Sequence, residues 1–438
     1  MYEEDIEKLF KEASKDAYYL VALKDREIDR IIVENNMIRE LSYGKSTMAT
    51  VDCYKDGKRS RSSGDDVTHD SMLSLFSKSR YAVDSGAVTY GTPKMADGRF
   101  IYKEVGVEST DFDAIIHRML SAASNLDTSS VMNSRLLLEY GKRSAILANS
   151  SGGRGTLENG YALASVKIVL RKDKFFSSAT SHFSSNNVMN IDIDGAVNSA
   201  YKEARIMLES RRVAEFKGSI VLSPTASSKI LTSVILALGA GYASTGKSFI
   251  GIGNEGKRIA SPIVTLVERT NVPGSGFSRP FDDELVATTD KTIIDEGILN
   301  TYLYDIGSAE SLKKRSTGNH FNDSVYNISG VLYKGTFVTS ASLKPGDTKF
   351  DDLIGSVRKG MYIMDIGFPN PINGRFTGNV KAAYIENGDV KYGITNPVIP
   401  ADVSIMLNNI AGLSKETGQW GRISSPYVLI DNATIASQ

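Results

Sequence analysis

The sequence predicts an α+β protein, with an N-terminal α/β part that contains a mixed sheet and a C-terminal strand-rich domain with a few packed helices. Three observations support this prediction. Apolar residues recur at helical spacing in residues 3–15, in 67–81 and in a stretch that begins near Gly195. Residues 18–54 instead show the apolar runs and alternation that are typical of strands. After Gly239 the chain is rich in glycine and in short strand-like segments separated by turn signals.

The first part of the chain is predicted to contain helices and strands in turn. A surface helix is expected over 3–15, because acidic residues lie in its first turn and a lysine lies near its end. A tight hairpin turn is expected at Asp56-Gly57. The strands before this turn are expected over residues 18–23, 28–41 and 47–54. Residues 82–108 carry few signals and are predicted to form a linker or lid.

The rest of the chain gives fewer but longer helical signals. Asp111 is expected to cap a helix that runs to Leu126. A proline in the first turn favours a helix over 224–238. A strand is expected over 258–267, and short helices are expected at 349–357 and near 403–413. Three domains are therefore predicted: an N-terminal α/β domain (1–110), a middle α+β domain (111–216) and a C-terminal strand-rich domain (217–438).

Composition excludes several classes of protein. The 438 residues carry 51 Lys plus Arg and 51 Asp plus Glu, so the net charge of zero argues against binding to nucleic acid or to anionic lipid by charge. The single cysteine cannot form an intrachain disulfide, which suits a reducing cytosol. The acidic N-terminus is unlike a signal peptide, and no apolar run reaches the ~18 residues that span a bilayer. We therefore expect a soluble, cytoplasmic protein with no membrane partner.

Two glycine-rich motifs suggest nucleotide binding. Residues 241–248 match the phosphate-loop pattern G-x-x-x-x-G-K-[ST], and 251–256 match G-x-G-x-x-G. Both patterns need a strand before the loop and a helix after it, whereas here a helix is predicted before residue 241 and glycines follow. A flexible loop and a turn are therefore preferred. A nucleotide-dependent enzyme remains an alternative, with Asp365 as the acidic residue near Mg²⁺.

The sequence offers weak metal-binding signals. Its histidines, His69, His117, His182 and His320, are too far apart along the chain to present two ligands on one helix face. Cys53 lies in a predicted strand, where a small buried side chain is a more common role than a ligand or nucleophile.

Two polar clusters are candidates for a site. Residues 276–284 place three consecutive carboxylates beside Arg279, which would suit cation binding or a loop fixed by charge-assisted hydrogen bonds. Such a run is more often a solvated loop or a structural ion-pair site. Residues 316–320 combine Gly318 with Asn319 and His320, which would suit either the lining of a cleft or an ordinary turn.

An ordered set of motifs from about residue 217 onward resembles the TldD/PmbA family. The segments that carry the resemblance are Ser223-Pro224, residues 246–249 and 256–261, Ser278-Arg279-Pro280-Phe281-Asp282-Asp283-Glu284, Thr317-Gly318-Asn319, Leu343-Lys344-Pro345-Gly346 and Tyr384-Ile385-Glu386-Asn387-Gly388. The N-terminal half shows only a faint likeness, chiefly at the Asp56-Gly57 hairpin. This resemblance implies a peptidase built from two kinds of subunit. One kind carries H-E-x-x-x-H on a helix and a C-terminal cysteine as zinc ligands and base; the other kind, PmbA or TldE, lacks them.

The sequence departs from the zinc-binding kind at both places. Residues 231–238 contain no His or Glu, and residues 416–421 contain no Cys. The usual acidic pair before the D-D-E motif is also missing, since Val267-Glu268-Arg269-Thr270 stands there. Leu285 occupies a position where the family usually has glycine, which puts the turn geometry there in question.

The resemblance therefore predicts a non-catalytic, PmbA/TldE-like subunit of a metalloprotease complex that acts on peptides or unfolded segments. No catalytic or metal-binding residue and no cofactor is expected in this chain, and zinc is expected only in a TldD-like partner. The candidate substrate-binding residues are Arg279, Asp282, Asp283, Glu284, Asn319 and His320. A homodimeric binding or scaffold protein without a protease partner is a further alternative.

Overall fold

The computed structural model describes residues 3–13, 15–85, 88–89, 97–104, 112–124, 126, 130–322, 335–376, 380–399 and 402–437. Two large sheets with helices packed against them confirm the α+β prediction. The helices of the described residues are α1 (Glu3–Glu12), α2 (His69–Asp84), α3 (Phe112–Ser124), α4 (Ile193–Leu208), α5 (Pro224–Ala237), α6 (Ala240–Ser244), α7 (Ile306–Ser311), α8 (Phe350–Gly355) and α9 (Val403–Asn408). A 3₁₀ turn at Val188–Asn190 precedes α4.

The N-terminal sheet is built mainly from long antiparallel strands. Its strands are β1 (Tyr18–Glu34), β2 (Met37–Lys55), β3 (Lys58–Gly64), β4 (Val88–Thr89), β5 (Arg99–Lys103), β6 (Val131–Asn149), β7 (Arg154–Lys172) and β8 (Phe175–Ser185). Their order is β4-β3-β2-β1-β6-β7-β5, with β8 also paired to β7. Because β5 runs parallel to β7, the sheet is mixed, as predicted. It includes strands from both sides of residue 110.

Helices cover one face of this sheet in two places. Helices α3 and α4 pack over residues such as Val33, Leu138 and Val166, whereas α1 and α2 pack over a second cluster that includes Val21 and Cys53. Burial of these apolar side chains is the main favourable contribution to folding, at roughly 25 cal/mol per Å². Cys53 is buried, as predicted, and burial raises the pKa of its thiol to about 11.

The C-terminal sheet is larger and less regular. Its strands, with two short ones that pair separately, are β9 (Phe216–Leu222), β10 (Leu266–Glu268), β11 (Lys291–Asp295), β12 (Ile298–Leu299), β13 (His320–Phe321), β14 (Gly335–Thr336), β15 (Ala341–Leu343), β16 (Lys359–Ile366), β17 (Val380–Glu386), β18 (Asp389–Gly393), β19 (Pro397–Val398), β20 (Ile410–Trp420) and β21 (Ile423–Ser437). The main order is β12-β11-β10-β15-β21-β9-β16-β17-β18; β19 and β20 pair with β21, and β13 pairs with β14. Helix α5 packs against this sheet through Ile230, Leu231 and Val234.

Several predicted boundaries need correction. The strand expected over 28–41 is interrupted, because Asn35 and Asn36 adopt positive φ and form the turn between β1 and β2. The strand expected over 258–267 is only the short β10, and the helix expected near 403–413 ends at Asn408, before β20 begins. The Asp56-Gly57 hairpin and the helix over 224–238 are confirmed.

The predicted linker or lid over 82–108 includes the end of α2 and strands β4 and β5. Residues 86–87, 90–96 and 105–108 of that stretch, and the predicted cap Asp111, lie outside the described residues. Among the helices that the structure describes, none is long and apolar enough to cross a membrane.

Candidate functional site

The acidic motif lies in an irregular segment between β10 and β11 that crosses from the C-terminal sheet to the N-terminal sheet. Phe281 and Leu285 of this segment are buried against an N-terminal cluster, and the Phe281 ring stacks on Phe100 at 5.1 Å. The guanidinium of Arg143, on β6, donates to the backbone oxygen of Gly276 at 2.6 Å. The segment therefore joins the two halves of the chain by both apolar and polar contacts.

Arg279 and Asp283 form the first part of a buried charge network. Arg279 Nη2 donates to Asp283 Oδ1 at 2.8 Å, and Arg279 Nε donates to the backbone oxygen of Phe281 at 2.7 Å. Lys24 of β1 donates to the other carboxylate oxygen, Asp283 Oδ2, at 2.8 Å. The backbone N–H of Asn322 donates to the same oxygen. One carboxylate thus binds a cation from each half of the chain.

Asp282 fixes the backbone of the motif. Its Oδ1 accepts from the N–H groups of Glu284 and Val286, each at 2.9 Å, and its Oδ2 accepts from the N–H of His320 at 2.9 Å. The side chain is fully buried. Burial, followed by repulsion from Glu284, raises the pKa of Asp282 to about 7.

Glu284 and His320 connect this network to α7 and to β3. Glu284 Oε2 accepts from the N–H of Ile306 at 2.7 Å, in the first turn of α7. Nδ1 of His320 lies 3.9 Å from Glu284 Oε1 and 3.6 Å from Asp305 Oδ2. Burial disfavours the charged imidazole, but these carboxylates raise the pKa of His320 above its usual value. Arg59 of β3 lies 3.9 Å from Glu284 and pairs with the buried Asp52.

Asn319 belongs to an adjacent network that the sequence did not reveal. Its Nδ2 donates to both oxygens of Glu268 at 3.0 Å, and its Oδ1 accepts from Lys291 Nζ at 3.1 Å. Lys291 also donates to Glu268 at 2.7 Å, and the N–H of Thr339 donates to the same carboxylate. Glu268 is completely buried, so these partners neutralise a charge that would otherwise be costly.

The structure brings the predicted site residues together, but below the surface. Arg279, Asp282, Asp283, Glu284 and His320 share one network, and Asn319 lies in the next. Each is at most 4% exposed. The partners that sequence analysis missed are Lys24, Asp52, Arg59, Glu268, Lys291 and Asp305. No local signal marks them, although Glu268 lies in the segment where the family's acidic pair is absent. Contact of the six predicted residues with a peptide remains a prediction.

The unusual Leu285 adopts the backbone conformation expected of a glycine. Its φ is +62°, in the left-handed region that costs a non-glycine residue roughly 1–2 kcal/mol. The side chain is fully buried and belongs to the same cluster as Phe281 and Leu157. Burial of a leucine contributes about 1.5–3 kcal/mol, which offsets the backbone strain. The turn therefore keeps its geometry without glycine.

The phosphate-loop pattern at 241–248 does not have phosphate-loop geometry. Helices α5 and α6 precede Gly246, and residues 249–260 form no helix that could direct its N-terminus at a phosphate. Ser248 Oγ donates to the backbone oxygen of Ala237 at 2.6 Å. Asp365 instead pairs with Lys229 of α5.

Helix α5 offers no place for zinc. Leu231, Val234 and Ile235 are buried in the C-terminal core. The hydroxyl of Ser227 bonds that of Ser425, and Ser233 donates to the backbone oxygen of Pro369 at 2.7 Å. Within the described ranges, no three His, Cys, Asp or Glu side chains are grouped so that they could hold a metal ion. The residues present therefore do not fit a zinc site at this helix.

The pKa of Asp282 predicts a pH-dependent stability. The unfolded carboxyl has a pKa near 3.9, so between about pH 5 and pH 7 the folded state binds more protons, and the free energy of unfolding falls as pH rises. Each titrating group contributes at most about 1.4 kcal/mol per pH unit. We expect Asp282→Asn to make this slope less negative than in the wild type, measured by urea unfolding across this window.

The slope of the wild type alone does not isolate Asp282, because other groups also titrate differently in the folded state. The pKa of Glu203 is shifted to about 8 and that of His182 to about 4, so the slope of the variant must be compared with that of the wild type. Asp290→Asn is the matched control. Asp290 lies on the same segment, but its pKa is lowered, so it is ionised in both states above about pH 5. An Asp282→Asn slope equal to that of the wild type would contradict the assignment.

Comparison with known proteins identifies relatives of the whole chain and of its C-terminal half. The sequence model of the PmbA/TldA metallopeptidase C-terminal domain matches residues 216–437. A metalloprotease PmbA homolog of Buchnera aphidicola is 24% identical over 54% of this chain and 50% of the relative. An uncharacterized protein of Methanocaldococcus jannaschii is 24% identical over 98% of this chain and all of the relative. The chain thus spans about half the length of the first curated relatives that it matches.

A solved structure has a similar fold over nearly the whole chain, including the N-terminal half. TldE from Thermococcus kodakarensis matches with a TM-score of 0.81 and 20% identity, over 99% of this chain and 100% of that one. At this identity the likeness demonstrates a shared fold. The N-terminal sheet, where the sequence resemblance was faint, is therefore part of the common architecture.

Proposed function

Because this chain belongs to the TldD/PmbA family, we propose that it is a non-catalytic, PmbA/TldE-like subunit of a metalloprotease complex. In this proposal a TldD-like partner holds the zinc and cleaves peptides or unfolded segments. The two subunits together enclose a chamber, and this chain contributes part of its walls and some of its contacts with the peptide.

The packing of α5 is the observation that carries the proposal. The resemblance places the zinc-binding residues of the catalytic kind of subunit on this helix. Here the helix presents aliphatic side chains to the core, and the hydroxyls of Ser227, Ser228 and Ser233 bond groups of the C-terminal domain. A zinc ion needs imidazole, thiolate or carboxylate donors, which these side chains cannot supply.

An open strand edge offers a place for peptide contacts. Residues 49–54 of β2 pair with both β1 and β3, whereas among the described residues 37–48 pair only with β1. Such an edge leaves backbone N–H and C=O groups available, so an extended peptide can add as a further strand.

The proposal predicts that the purified chain alone contains far less than one zinc per molecule and does not hydrolyse peptides. When a relative that keeps H-E-x-x-x-H is added, the mixture should hydrolyse peptides, and EDTA should abolish this hydrolysis. Elemental analysis measures the metal, and a quenched fluorescent peptide measures the activity.

A partner in which the glutamate of H-E-x-x-x-H is changed to glutamine is the matched control, and the complex formed with it should be inactive. Stoichiometric zinc together with EDTA-sensitive cleavage by this chain alone would overturn the proposal. Co-purification from native extract tests the pairing, because a homodimer without a zinc-bearing relative would contradict it.

A further inference from the structure

A cleft of about 640 Å³ lies between the N-terminal sheet and the C-terminal domain. Its floor is the sheet face opposite α3 and α4. Along β6, Leu136 and Leu138 point to the helices, and Leu137 lines the cleft, as strand alternation requires. Its wall comes from Lys229 of α5, Asp365 of β16 and Trp420 of β20.

Most charges that line the cleft are paired with one another. Arg30 Nη2 donates to Glu139 at 2.9 Å, and Lys229 pairs with Asp365. His182 adds no charge near neutral pH, because burial, followed by the nearby Lys229, lowers its pKa to about 4.

Two cations on the floor of the cleft do not belong to these ion pairs. Arg135 of β6 and Lys167 of β7 lie directly opposite each other in the strand register, and both are exposed. Neither has a carboxylate within 4.0 Å among the residues that the structure describes. Glu34 is the β1 neighbour of Arg135, but its carboxylate accepts from Asn133 at 3.0 Å and lies 4.0 Å from Arg39.

This arrangement favours an anion. Like charges directly opposite on neighbouring strands are destabilising, and an anion between them would relieve the repulsion. Carboxylates bind arginine and lysine through charge-assisted hydrogen bonds. Ser165 and Thr180 add hydroxyl groups to the same lining, and Trp420, although only 3% exposed, lies beside them. A few converging polar groups are what orients a ligand in such a cleft.

We propose that this cleft binds a carboxylate group of an extended peptide between Arg135 and Lys167. The peptide as ligand rests on the proposed function, whereas the preference for a carboxylate rests on the cleft itself. The complex would therefore favour peptides that carry an acidic side chain near the bound segment, or a free C-terminus there. Both sources present the same chemical group.

The test uses the full chain without a partner and four synthetic decapeptides. They carry either glutamate or glutamine at two central positions, and either a free or an amidated C-terminus. Isothermal titration calorimetry measures affinity. Fluorescence of Trp420, the single tryptophan, reports occupancy of the cleft. We expect the fully acidic peptide to bind at least about tenfold more tightly than the peptide with neither carboxylate. The two intermediate peptides distinguish a side-chain carboxylate from a terminal one.

Arg135→Gln with Lys167→Gln should abolish this preference, with a loss of at least about tenfold for the acidic peptide. Both side chains are exposed, so the fold should tolerate the change. Lys142→Gln is the matched control, because Lys142 is also exposed on β6 but alternates to the other face. Equal affinity for all four peptides, no binding of any of them, or an unchanged preference in the double variant, would overturn the inference.

Failure of this inference is distinguishable from failure of the proposed function. Zinc-dependent cleavage by the chain alone would overturn the non-catalytic role, yet would leave the binding preference to be decided by calorimetry. Conversely, a partner-dependent peptidase without any carboxylate preference would keep the proposed function and reject only the cleft assignment.

Discussion

Replacing Arg279 with methionine is expected to lower the free energy of unfolding by about 3–5 kcal/mol, the usual cost of removing one partner of a buried ion pair. Arg279 is only 2% exposed, and its guanidinium bonds Asp283 and the backbone oxygen of Phe281. It also lies 5.2 Å from the ring centre of Phe321. Methionine fills part of the same volume but leaves the Asp283 carboxylate with fewer donors in a buried place.

Chemical denaturation of wild type and variant measures this loss. Arg269→Met is the matched control, because the Arg269–Asp290 pair has similar geometry at 3.0 Å but both side chains are about half exposed. Exposed pairs contribute about 0–1 kcal/mol, so the control should be nearly as stable as the wild type. Equal, small losses in the two variants would mean that the buried network contributes no more than a surface pair.

Replacing Gly318 with alanine is expected to cost about 2–5 kcal/mol. Gly318 has φ of +68°, where an alanine pays roughly 1–2 kcal/mol. Its added Cβ would also lie 2.3 Å from the backbone oxygen of Ala287, which cannot rotate away as a side-chain tip would. Relief of such a clash adds roughly 1–3 kcal/mol and must move the chain next to Asn319 and His320.

Gly246→Ala separates the two contributions. Gly246 has a similar φ of +72°, but an added Cβ would meet nothing within 4 Å. It should therefore show only the backbone cost, roughly 1–2 kcal/mol. Thermal and chemical unfolding measure both losses of stability. If the two variants lose equal free energy of unfolding, the chain near Gly318 can make room for a Cβ, and the position of Asn319 is less constrained than the structure indicates.

Local signals in the sequence were sufficient for much of the fold. The proline of α5 and the Asp56-Gly57 turn identified their elements because both act within a few residues. The turn at Asn35-Asn36 was missed because the apolar pattern continues on both sides of it. The sequence predicts the start of β20 as the end of a helix, since Ile410 and Leu413 fit helical spacing as well as they fit a strand.

The candidate site could be predicted only in part, for a different reason. The D-D-E motif was visible as a run of charges, but a run does not reveal its burial or its partners. Lys24 is 259 residues from Asp283 along the chain, and His320 is 261 residues from Arg59. Such pairs depend on how the two halves of the chain are docked, so no spacing rule could have found them.

The crossing of the 276–285 segment onto the N-terminal sheet limits how the molecule can be dissected. A fragment cut near residue 216 would keep the whole matched C-terminal domain, yet it would remove Lys24 from Asp283 and Arg59 from Glu284. It would also uncover Phe281 and Leu285 to water. The acidic motif therefore belongs to the C-terminal domain in sequence, but it also holds the N-terminal half in place. Truncated forms should be compared with the intact chain rather than used in its place.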